Sequence, residues 1–122
     1  MERQSGLDPF DIKSEQVTIL IVDDSVLGAQ LVQTHLERFG YRVTLAHDGN
    51  EALARVEVDP PDLIILDVMM PGLDGFAVCE QLKGDCRTWL IPLILLTAMN
   101  EPRDRIRGIE AGAVDFLSKP FN

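Results

Sequence analysis

Only two cysteines, Cys79 and Cys86, occur in the 122 residues. Two make no disulfide framework, and a reducing compartment is the simpler expectation. Positive charge is scarce: eleven Lys and Arg stand against twenty Asp and Glu, a formal net charge of -9. A chain this acidic has no basic track for a polyanion, which argues against direct DNA or RNA binding by this segment and against an anionic membrane surface. Long apolar runs are missing too, and none approaches the roughly 20 residues that span a bilayer. Residues 1–16, MERQSGLDPFDIKSEQ, lack the apolar core of a secretory signal. Nothing matches the P-loop pattern GxxxxGK(S/T), and no GxGxxG follows the first apolar run, so NTPase and Rossmann dinucleotide readings fail. A flavin module would want a Ser/Thr-rich phosphate loop there, and the sequence has the acidic DDS instead. What remains is an ordinary globular composition with length for one domain, expected to be soluble and cytoplasmic.

A βα rhythm runs through most of the chain. Residues 1–16 read as a lead-in with no sustained period. VTILIV (17–22) is apolar on both sides, which predicts a strand buried on both faces of a parallel sheet. Asp23 and Asp24 stop it, Ser25 sits where a cap belongs, and a helix is expected to Phe39, with Gly28, Leu31, Val32, His35 or Leu36, and Phe39 facing inward. The unit repeats as strand 41–46, helix 50–58, strand 62–68, helix 76–84, strand 92–98, a short helix within 101–112 loosened near Pro102 and Gly108, and strand 114–117. Right-handed crossovers of this length specify a doubly wound α/β fold with helices on both faces of a five-stranded parallel sheet. The chain stops five residues after the last strand, so the usual fifth helix is expected to be missing from it, with residues 17–122 forming the domain.

In open parallel sheets the site lies beyond the carboxyl ends of the strands. This sequence puts Asp23 and Asp24 after the first strand, Asp67 with Met69 after the third, Thr97 after the fourth, and Ser118, Lys119 and Pro120 after the fifth. Like charges in one cleft cost stability, and a hard divalent cation offsets that cost. Mg²⁺ takes oxygen ligands and retains several waters, which suits two carboxylates and a backbone carbonyl. Transition metals are less suited, since no Cys or His joins this set.

The segments LIVDDS (20–25), LDVMMPGLDG (66–75), LLTA (95–98) and AGAVDFLSKPF (111–121) resemble the response-regulator receiver domains of two-component signalling, the CheY-like superfamily. Four fragments in order, with matching spacing across 17–121, make the resemblance specific. It implies the flavodoxin-like strand order 2-1-3-4-5. It also implies that Asp67 is the phosphoacceptor, that Asp24 ligates Mg²⁺ directly, that Asp23 acts mostly through a bound water, and that the Met69 carbonyl is a further ligand. Thr97 and Lys119 would then hold the phosphoryl group, Phe116 would be the aromatic switch position, and Pro120 would follow a cis peptide bond. The implied donor is a phosphohistidine on a sensor histidine kinase or histidine phosphotransfer protein, or a small acyl phosphate. Such a domain catalyses its own phosphorylation and dephosphorylation without being a turnover enzyme. It would switch a C-terminal effector beyond Asn122, with a homodimer as one output state. Met69 and Met99 match the positions that flank the water path to phosphorus. The rival reading is a receiver-like interaction module that is never phosphorylated; loss of Asp67, Lys119 or an acidic partner would argue for it, and none is lost. His35 and His47 read as surface or structural residues, Cys86 and Trp89 lie in a helix-to-strand connection remote from the site, and Cys79 reads as a small core hydrophobe.

Overall fold

The computed structural model describes residues 17–70, 72–97 and 102–118. Among these the order is β1 (Thr18–Val22), α1 (Val26–Glu37), β2 (Arg42–Ala46), α2 (Gly49–Val58), β3 (Leu63–Asp67), α3 (Gly75–Lys83), β4 (Leu93–Thr97), α4 (Pro102–Glu110) and β5 (Asp115–Ser118). All neighbouring strands pair in parallel, in the order β2-β1-β3-β4-β5. The lead-in lies outside the described residues, as does anything after Ser118.

Alternate residues of the central strands enter two separate cores. Leu20, Val22, Ile64, Leu66, Leu93 and Leu95 pack with Ala52 and Val56 of α2 and with Phe76, Val78, Cys79 and Leu82 of α3. Ile19, Ile21, Ile65 and Leu96 pack on the opposite face with Ala29, Val32 and Leu36 of α1. This double burial is why the strands read as continuous apolar runs, and each fully buried Leu, Ile or Val contributes about 1.5–3 kcal/mol. Three helices start on side-chain caps: Ser25 Oγ accepts from Gly28 N, Asp48 Oδ1 from Glu51 N, and Asp74 Oδ1 from Ala77 N. Cys79 is fully buried in α3, and its thiol donates to the Ala111 carbonyl at 3.3 Å. Burial pushes that thiol up to about 11, which keeps it protonated and unreactive.

The structure corrects two expectations. Leu31 and Phe39 do not face inward, and of the alternatives His35 and Leu36 it is Leu36 that does: Leu31 is 65% exposed, and His35 packs edge-on against an exposed Phe39. The inward stripe is Ala29, Val32 and Leu36, which pack against Ile19, Ile21, Ile65 and Leu96 of the sheet. Nor is α4 loosened at Gly108, which is buried inside a continuous helix. His47 is exposed, as are Cys86 and Trp89 in the connection between α3 and β4.

Candidate phosphoacceptor and metal site

The register brings the first two carboxylates together. Parallel pairing of β1 with β3 runs Ile19–Leu63, Leu20–Ile64, Ile21–Ile65 and Val22–Leu66. Asp23 and Asp67 occupy the next rung. Both follow the alternation of Ile19 and Ile21 and of Leu63 and Ile65, so both belong to the α1 face. Asp24 follows at the start of the β1–α1 turn. One carboxylate oxygen from each of Asp23, Asp24 and Asp67 lies within 4.8 Å of the others. Asp23 is 2% exposed and Asp67 4%, while Asp24 opens to solvent. Two buried carboxylates beside a third demand a compensating charge. An all-oxygen set of this kind fits a hard divalent cation.

Backbone donors orient the two buried carboxylates. Ser25 N donates to Asp23 Oδ1 at 2.9 Å, and Met69 N donates to Asp67 Oδ1 at 3.1 Å. The first bond also fixes the start of α1, since Ser25 caps that helix. Beneath Asp67 the chain turns tightly into α3: Gly75 N donates to the Val68 carbonyl at 3.1 Å. A Cβ on Gly75 would meet the Asp67 carbonyl oxygen at 2.5 Å and Val68 Cα at 2.7 Å, both backbone atoms. Glycine is therefore required for α3 to press against the end of β3. Gly75→Ala should lower stability by about 1–3 kcal/mol through this overpacking. Urea unfolding should show the loss as a lower midpoint at unchanged slope.

Thr97 ends β4 one residue past Leu96, the partner of Asp67, and pairs with Ser118 at the end of β5. Both strands therefore finish at the edge that carries the carboxylates. Phe116 lies within β5, opposite Leu95. Met69 follows Asp67 by two residues and is exposed. Lys119, Pro120 and Met99 fall outside the described residues. Sequence patterns did not single out Ser25 N, Met69 N or the close approach at Gly75. The first two are ordinary backbone groups, and Gly75 reads in the sequence only as a conformational glycine opening the helix, with no sign of what it packs against.

Residues 19–122 match the family described as response regulator receiver domain. The chain belongs to that family. This receiver domain is 50% identical over 104 residues to the response regulator PleD of Caulobacter vibrioides, covering 85% of this chain and 23% of PleD. It is 48% identical over 104 residues to the alkaline phosphatase synthesis transcriptional regulatory protein PhoP of Bacillus subtilis, covering 85% of this chain and 42% of PhoP. The chain thus spans less than half the length of these two relatives. Among solved structures, the chemotaxis protein CheY4 of Vibrio cholerae superposes with a TM-score of 0.83 at 37% identity, over 87% of this chain and 88% of that one. The acidic cluster on the receiver fold is that of a phosphoacceptor domain with a carboxylate set able to coordinate a divalent metal ion. No described helix is long and apolar enough to cross a membrane.

Proposed function

We propose that Asp67 accepts a phosphoryl group from a phosphohistidine of a sensor kinase or phosphotransfer protein and so switches an output region of a longer protein. One observation carries this reading: Asp67 is buried at a strand end, with one of its carboxylate oxygens within 4.8 Å of an oxygen from each of two further carboxylates. A carboxylate oxygen of Asp67 forms the bond to phosphorus as the donor's N–P bond breaks, and the imidazole, already protonated on its other ring nitrogen, leaves neutral. No general acid is needed for such a leaving group. Met69 N, donating to Asp67 Oδ1, holds the carboxylate's rotamer for attack. The ion proposed is Mg²⁺, with Asp24, Asp67 and the Met69 carbonyl as ligands and Asp23 acting through water. When bound it neutralises the carboxylates and the phosphoryl oxygens. Thr97 and Lys119 are assigned to the phosphoryl group, and Phe116 to the switch that senses it. Incubation with Mg²⁺ and acetyl phosphate should add one phosphoryl group per chain, read by intact mass. An unchanged mass would contradict the reading.

The phosphorylated state should be long-lived, on the order of minutes to hours. Met69 stands exposed at the cleft beside Asp67 and, like Met99, has no group that can orient an attacking water. A water-orienting base is worth roughly 10–100-fold or more. Met69→Asn with Met99→Glu should accelerate phosphate release by about that factor. Release within seconds from the unaltered domain would show that the methionines do not shield phosphorus.

A further inference from the structure

Helix α4 is held oddly. Its residues Ile106 and Ile109 point to solvent, and on its inner side the buried positions are Gly108 and, just past its end, Ala111. The helix therefore offers the core no large apolar side chain at those positions. Arg107 reaches across instead. Its guanidinium carbon lies 4.2 Å from the centroid of the Phe76 ring, in the first turn of α3. Its terminal nitrogen is 4.0 Å from Asp74 Oδ2. The other oxygen of Asp74 caps α3 by accepting from Ala77 N at 2.8 Å. Phe76 is almost fully buried, and it follows Gly75, the residue that touches the Asp67 carbonyl edge of the sheet. The groove between α4 and the β3–α3 turn is lined by Val68, Met70, Phe76 and Arg107, with exposed Met69 at its rim.

We infer that Arg107 is a positioning residue that clamps α4 to the start of α3 and so steadies the turn that carries Asp67. The stacking carries the clamp. The ion pair is long and solvent-exposed, and such pairs contribute little. Arginine is required because its planar, weakly hydrated guanidinium can lie flat on a ring while its stem covers apolar surface. Phe76 cannot follow α4, because it is buried in the core at the start of α3. Any shift of α4 away from α3 must therefore break the arginine–phenylalanine contact. Conversely, whatever holds Arg107 on Phe76 also steadies the turn on which Asp67 and Met69 sit.

The clamp is a property of the free domain, whereas its regulatory effect rests on the phosphoacceptor reading, and two measurements separate them. Amide hydrogen exchange of the unphosphorylated protein reads the clamp. In Arg107→Ala, amides of α4 should exchange about two- to fivefold faster, the factor a partly exposed cation–π contact is worth, with β1 and β3 unchanged. Arg107→Lys should restore part of the protection, because it keeps the charge and loses the flat stack. Unchanged α4 exchange in Arg107→Ala overturns the clamp. Beryllofluoride, which stands in for the phosphoryl group, reads the effect on the site. Its affinity should fall by about the same two- to fivefold in Arg107→Ala and recover in part in Arg107→Lys, since the turn that carries Asp67 and Met69 would lose that support. Faster exchange with unchanged affinity overturns the link to the site. Failure of the unaltered domain to bind beryllofluoride at all overturns the phosphoacceptor reading, while the exchange result still decides the clamp.

Discussion

Asp67→Asn is expected to take up no phosphoryl group from acetyl phosphate or a phosphorylated kinase, at any Mg²⁺ concentration, while remaining folded. The amide is nearly the same size as the carboxylate and can still accept from Met69 N, the bond that fixes the side chain. What it loses is the anionic oxygen that attacks phosphorus. Removing one negative charge from a cluster of three carboxylates also relieves repulsion, so stability should be unchanged or slightly higher. Loss of labelling combined with retained or raised stability separates a missing nucleophile from a damaged fold. Intact mass after phosphodonor treatment, together with a urea midpoint, checks both halves. Labelling of the variant at the parent rate would place the acceptor elsewhere.

Removing the metal should have the next largest effect. With a chelator present, or in Asp24→Ala, phosphorylation by acetyl phosphate should slow by roughly 100-fold or more, because neutralising phosphoryl charge in such a reaction supplies several kcal/mol. Asp24 is the exposed member of the cluster, so its loss should leave the buried packing of Asp23 and Asp67 intact. Binding of Mg²⁺ itself should be weak, because two carboxylates and one carbonyl leave half of an octahedral shell to water. Fluorescence of Trp89, which is remote from the cluster, is a poor reporter. Isothermal calorimetry or chemical shifts at Met69 N would serve instead. Nanomolar affinity, or no weakening in Asp24→Ala, would contradict this ligand set.

The strands and the cluster were legible because their signals are local and redundant. Each central strand is buried on both faces, so ILIV (19–22) and LIIL (63–66) are unbroken apolar runs that read as buried strands. Their parallel register then converts two sequence positions, Asp23 and Asp67, into neighbours on one rung. Helix α1 was harder. Leu31 and Val32 are adjacent in sequence and about 100° apart on the helix, and Leu27, Leu31, His35 and Phe39 form a stripe as regular as Ala29, Val32 and Leu36. Side-chain hydrophobicity favours the first stripe. Packing against β1, β3 and β4 uses the second, and that is a tertiary fact that the period does not contain. The contact of Arg107 with Phe76 was invisible for a similar reason: an arginine amid alternating charges reads as a solvated face. Met69 N and Ser25 N could not be picked out at all, since their role depends on where the turn aims them.

The central claim is that Asp67 is the acceptor, and borohydride mapping tests it most directly. Reduction of an aspartyl phosphate converts that residue to homoserine, which peptide sequencing by mass spectrometry then locates. After treatment with Mg²⁺ and acetyl phosphate, homoserine should appear at position 67 alone, and hydroxylamine applied before reduction should abolish it. Homoserine at position 23 or 24, or a phosphoryl group that resists hydroxylamine and sits on Ser, Thr or His, would contradict the account.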